Sequence, residues 1–146
     1  MTSRIARTLP LLVLALLLAG PVCAESSPVG LWKTIDDDGE TAKSHVRIFE
    51  RDGLLCGKVV KLLQSDPDKR CEECPGEKKD QPILGMEILW DLKRQADGEE
   101  YGDGKILDPD NGKIYRCKIW REGDTLKVRG YIAFLFRTQT WHLVGE

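Results

Sequence analysis

The sequence has little with which to bind a metal or build a nucleophile. It contains 2 histidines, His45 and His142, and one Cys-x-x-Cys motif, Cys71-Glu72-Glu73-Cys74. A tetrahedral zinc site needs four ligands, and no second Cys-x-x-Cys or His pair stands in the sequence to complete one. A redox dithiol needs a lowered thiol pKa, and the two glutamates between these cysteines push the other way. The aspartate runs Asp36-Asp37-Asp38-Gly39 and Asp108-Pro109-Asp110-Asn111-Gly112 lack the alternating acids and distal Glu of a calcium loop. No serine nucleophile motif and no paired-carboxylate signature is present. The sequence therefore nominates no catalytic residue, no metal site and no cofactor. Basic charge is also in short supply. The formal net charge is -2, and it falls to -4 once Arg4 and Arg7 are set aside. That balance argues against a nucleic-acid partner, whose phosphates demand a basic surface. After residue 19 no apolar run approaches membrane-spanning length.

The one long apolar run lies at the start. Arg4 and Arg7 precede Leu9 to Ala19, a run of almost pure Leu, Ala and Val, and Gly20-Pro21 breaks it before Val22-Cys23-Ala24. This is the grammar of a secretory signal, with an apolar core too short to span a bilayer stably. Cleavage after Ala24 is expected, so residues 1–24 are read as a signal peptide and residues 25–146 as a single domain, periplasmic or secreted. A retained anchor and a lipoprotein attached through Cys23 are the alternatives. Val22 fits poorly with lipid attachment.

What the rest has in quantity is turns and alternation. Asp36 to Gly39, Arg51-Asp52-Gly53, Asp97-Gly98, Asp108 to Gly112 and Arg121 to Asp124 punctuate the chain at short intervals. Gly and Asn supply the positive φ of tight hairpins, and Pro presets the first turn residue. Between them apolar residues recur with period two. Val46 and Ile48 oppose His45 and Arg47; Tyr115, Cys117 and Ile119 oppose Arg116 and Lys118; Leu126, Val128, Gly130 and Ile132 oppose Lys127, Arg129 and Tyr131. Such strands have one buried and one wet face. The pattern predicts strands over 30–35, 44–51, 54–62, 86–93, 104–108, 113–121, 125–133 and 138–144. The fold class is all-β, a small eight-stranded antiparallel up-and-down barrel, with a sandwich as the alternative. Closure removes exposed edges and leaves room for side chains or one small ligand.

Residues 64–82 break the rhythm with a polar, charged, Pro-containing loop that carries Cys71 and Cys74. Loops of this length usually carry function or disorder. Cys56, Cys71, Cys74 and Cys117 allow three pairings. In an oxidising compartment Cys71 and Cys74 are expected as a local disulfide stapling the loop, with metal and redox roles the alternatives. Cys56 and Cys117 fall on the third and sixth strands, which are not neighbours, so both are expected buried and unpaired.

Several strings occur in order: Gly30-Leu31-Trp32, Gly57-Lys58-Val59-Val60, Cys71-x-x-Cys74-Pro75-Gly76, Pro82-Ile83-Leu84-Gly85, Ile88-Leu89-Trp90, Gly104 to Pro109, Lys127 to Tyr131 and Arg137-Thr138-Gln139-Thr140-Trp141. Together they resemble the DUF2147 family of exported bacterial proteins. The resemblance implies a lipocalin-like barrel and export, and no particular chemistry. Gly-x-Trp is the first-strand signature of lipocalin-like barrels, in which a basic residue near the end of the last strand lies over the Trp ring. The resemblance implies Arg137 in that role, by cation–π stacking on Trp32. Asp91, where the family often has Gly, the apolar run Ala133-Phe134-Leu135-Phe136, and Cys56 depart from the pattern. Trp32, Trp90, Tyr115, Arg137 and Trp141 are the candidate ligand-binding residues, with ordinary packing of the same aromatics as the alternative. The expected function is non-enzymatic binding of a small hydrophobic or amphipathic molecule. The alternative is an envelope interaction module acting through the 64–82 loop and residues 133–136.

Overall fold

The computed structural model describes residues 27–146. The proposed signal segment lies outside the described residues. Alternation becomes eight strands: β1 (Gly30–Ile35), β2 (Ala42–Arg51), β3 (Leu54–Leu62), β4 (Glu87–Arg94), β5 (Glu100–Asp108), β6 (Lys113–Glu122), β7 (Thr125–Ile132) and β8 (Leu135–Gly145). Each pairs antiparallel with the next, and β1 closes on β8 through Leu31 with Gly145, Trp32 with Leu143 and Lys33 with His142. The predicted up-and-down barrel is the observed fold, and no sheet edge is left open. Among the described residues no helix is long and apolar enough to cross a membrane.

Two strands start three or more residues earlier than the sequence pattern indicates. β5 starts at Glu100 rather than 104, and β8 at Leu135 rather than 138. Gly104, where the expected strand begins, makes room inside the barrel for its neighbour. A Cβ on Gly104 would lie 2.6 Å from the Leu92 side chain and 2.8 Å from the Trp90 carbonyl oxygen. A glycine inside a strand often marks such a close approach.

Up-and-down order sends the β1–β2, β3–β4, β5–β6 and β7–β8 connections to one end of the barrel. The other three connections and the two chain ends lie at the opposite end. That second end is packed solid: Trp32, Val46, Ile48, Leu89, Leu92, Ile119 and Leu126 are wholly buried. Trp32 Nε1 donates to the Pro28 carbonyl at 2.7 Å, so the indole N–H is satisfied within the floor.

The β3–β4 connection is ordered. It carries a 3₁₀ turn at Gly76–Lys78 and a bridge between Arg70 and Pro82, and Cys71 and Cys74 form the expected disulfide. The disulfide is buried and packs on the β5–β6 turn, with Cys71 Sγ 3.3 Å from the Pro109 carbonyl oxygen. Gly112 is indispensable to this docking. It sits at φ +69°, and a Cβ there would fall 1.7 Å from the Glu73 carbonyl oxygen. Cys56 and Cys117 are buried and unpaired, as their strand positions predict. Burial pushes the Cys117 thiol up to about 12, so it stays protonated.

Candidate functional site

Above the packed floor the barrel is hollow. A cavity of about 590 Å³ opens between the loops of the other end, within the usual range for small-molecule sites. Its depth is apolar, with Val59 from β3, Ile88 from β4, Ile106 from β5, Val128 from β7 and Trp141 from β8 on the walls. Period-two alternation places each of these inward. Gly130 on β7 leaves its stretch of wall bare. A Cβ there would meet nothing nearer than Tyr115 Cβ at 3.7 Å.

Polar groups begin higher up and satisfy one another. Thr34 and Ser44, both buried, share a 2.9 Å hydroxyl–hydroxyl hydrogen bond across β1 and β2. Trp141 Nε1 donates to Gln139 Oε1 at 3.0 Å, and Gln139 Nε2 donates to Asp37 Oδ1 at 2.9 Å. Asp37 also pairs with Arg137. Tyr115 accepts from Asn111 Nδ2 at 3.2 Å. Across the mouth Asp110 receives Lys43 and, at 3.2 Å, Lys69. Burial alone would raise the Asp110 carboxyl, but hydrogen bonds from the two lysines outweigh it and hold it below the ordinary value of 3.8. Lys43 is raised in turn: burial lowers it, and the hydrogen bond and charge of Asp110 more than compensate. The result is an apolar pocket under a rim of mutually neutralised charges. It can accept an apolar body and offer hydrogen bonds to a polar end.

Three of the five nominated residues, Tyr115, Arg137 and Trp141, line this cavity. Trp32 does not, because it is consumed in the floor. Trp90 points away from the cavity, and Lys78 Nζ lies 4.2 Å from its ring centroid while donating to the Glu87 carbonyl at 2.7 Å.

The role assigned to Arg137 is corrected. Arg137 lies near the start of β8, at the mouth and far from the floor, with its side chain 71% exposed. The residue over Trp32 is Arg121, its guanidinium carbon 5.4 Å from the ring centroid and its side chain 6% exposed. Arg121 also donates to the Ser27 and Gly123 carbonyls at 3.1 and 2.8 Å and pairs with Glu146 at 3.1 Å. The signal was present in the sequence, since Arg121 continues the inward series Tyr115, Cys117, Ile119. The rim network of Asp37, Lys43, Lys69, Asp110 and Gln139 was not foreseen, because its members come from five separate connections and strands. Among the described residues no group of three or more His, Cys, Asp or Glu side chains is placed to hold a metal.

No curated protein matches the chain in sequence. In three dimensions it is similar to a solved protein, HP1028 from the human pathogen Helicobacter pylori, described as belonging to the lipocalin family. The two share 18% identity at a TM-score of 0.71, over 82% of this chain and 84% of that one. At that identity the likeness speaks for the barrel alone. The family model described as "Uncharacterized protein conserved in bacteria (DUF2147)" matches residues 30–143, from the first glycine of β1 to Leu143 beside Trp32, and the chain belongs to that family.

Proposed function

We propose that the protein is a non-catalytic carrier that holds one small amphipathic molecule in its barrel. The apolar part would lie against Ile88, Ile106, Val128 and Trp141, with the polar end among Tyr115, Gln139 and the rim. The observation that carries this reading is the open cavity of about 590 Å³ above a solid floor. A barrel built only for stability has no need of the hollow, because empty apolar space forfeits packing. The unpaired thiols do not suggest chemistry there: neither lines the cavity, and burial is the main cause raising both. We place the carrier in the periplasm or outside the cell, on the signal-like residues 1–24 and the Cys71–Cys74 disulfide, a bond typical of oxidising compartments.

Native mass spectrometry on protein purified from its own host is the test. A mass excess lost on denaturation is expected. Gly130→Phe, which fills the bare stretch of wall, should abolish that excess and weaken a fluorescent apolar probe by about tenfold or more. A protein that carries nothing and binds no probe, or a Gly130→Phe variant that binds as before, would sink the reading. The second reading, an interaction module, draws on one observation, the exposed apolar residues 133–136. A stoichiometric protein partner released by changing them would favour it.

A further inference from the structure

The tip of the β7–β8 hairpin is the most apolar exposed point of the described structure. Phe134 is 90% exposed, and Ile132, Leu135 and Phe136 are each about 60% exposed beside it. The turn is not one that local preference would choose. Ala133 is held at φ +53°, where a tight hairpin favours Asn or Gly, and the side chain carried at the apex is a phenylalanine.

Below the tip the outer face turns basic. Arg116, Tyr131 and Phe136 form one cross-strand row on β6, β7 and β8, and Lys118, Arg129 and Thr138 form the next. Arg129 lies 4.3 Å from the Phe136 ring centroid, and Arg116 donates to the Ala133 carbonyl at 3.4 Å. Lys118 is held by Glu100, whereas neither Arg116 nor Arg129 has a carboxylate partner among the described residues. An apolar apex with a collar of unneutralised arginines suits the boundary of a bilayer whose headgroups are anionic. The tip also adjoins the mouth, because Ile132, Leu135 and Phe136 line the cavity as well.

We propose that this hairpin docks the barrel on an anionic membrane surface, with Phe134 entering the acyl boundary and Arg116 and Arg129 meeting lipid phosphates. In that pose the cavity mouth faces the bilayer, so an amphipathic molecule passes between membrane and barrel without crossing bulk water. The docking goes beyond the carrier reading and does not require the cavity to be filled.

Residues 25–146 contain every strand and the core of the described structure, so this chain is the one to test, free of the apolar run at residues 9–19. Cosedimentation with phosphatidylcholine vesicles, with and without about 30% phosphatidylglycerol, reads the docking. Binding to the anionic vesicles is expected, at least about fivefold tighter than to the neutral ones. Phe134→Ser should weaken it about tenfold, and Arg116→Glu with Arg129→Glu should remove the preference for anionic lipid. Phe134 does not line the cavity and is exposed, so its variant should fold and bind the apolar probe unchanged. That separates failure of docking from failure of the carrier reading. Absence of binding to either vesicle would overturn the proposal, as would unchanged binding by Phe134→Ser. A tip-dependent dimer or protein complex with the vesicles left unbound would overturn it as well.

Discussion

The two ends of the barrel are built from the same eight strands, and their arginines show how differently the ends are used. At the floor Arg121 is nearly buried, lies over Trp32, donates to the Ser27 carbonyl at the start of the described chain and donates to Gly123 in the β6–β7 turn. At the mouth Arg137 is mostly solvent-exposed and pairs with Asp37. One guanidinium closes a core; the other decorates an opening. On the carrier reading floor and mouth divide stability from binding, and substitutions at each should have opposite signatures.

The largest effect is expected at Trp32. Trp32→Ala removes a wholly buried indole from a floor that has no room to collapse around the gap. It should cost about 3–5 kcal/mol in urea unfolding. A loss under about 1 kcal/mol would mean that the floor is not the stabilising end.

Arg121→Ala comes next, at about 2–4 kcal/mol, since it removes the stacked cation and leaves the Ser27 and Gly123 carbonyls without their donor. Arg137→Ala should cost about 0–1 kcal/mol, the usual worth of an exposed ion pair, and alter probe binding instead. Equal costs for the two would erase the contrast on which the comparison rests.

The Cys71–Cys74 staple belongs to the mouth and lies between these extremes. It closes a very short loop, so Cys71→Ser with Cys74→Ser should lower stability by only about 1–2 kcal/mol. Its main consequence should be local. Amide exchange over residues 66–82 is expected to speed up while that of β2 and β7 is unchanged. Uniform acceleration across the barrel would show that the loop is part of the cooperative core.

Much of this division could be read in advance, because it rests on local chemistry. Period two put Val46, Ile48, Cys117, Ile119, Leu126 and Val128 inward, and Asp-Gly and Asp-Pro-Asp-Asn-Gly turns spaced the strands. What escaped reading depends on where strands meet. Gly104 reads as the first residue of a strand, and nothing local shows that Leu92 from the neighbouring strand occupies the space of its missing Cβ. Asp37 and Asp110 read only as turn formers, and they are; their second role appears once closure brings Arg137, Gln139, Lys43 and Lys69 beside them. Arg137 was assigned by analogy of position near the chain end, whereas the inward alternation of β6 pointed to Arg121. Trp90 misled for a similar reason, since an aromatic on a strand reads equally well toward either face.

Acid gives the finest test of the two ends. The Asp110 carboxyl is depressed below 3.8 by Lys43 and Lys69, so its contribution is complete above that value and fades as pH falls through the folded-state pKa. Lys43 is raised above 10.5, so its side of the pair is complete below that value and fades as pH rises through the raised pKa. The Asp110 cluster should therefore hold between about pH 4 and 10.5. The floor's Trp32 and its apolar neighbours do not titrate in the acid range. Acid below about pH 4 should loosen residues 66–82 and the β5–β6 turn first, with β2 and β7 still protected from amide exchange. Asp110→Asn removes the titrating carboxylate, so the stability gap between it and the parent should narrow from pH 6 to pH 3. A gap that stays constant over that interval would show that the charges at the mouth contribute nothing to holding the loop against the barrel.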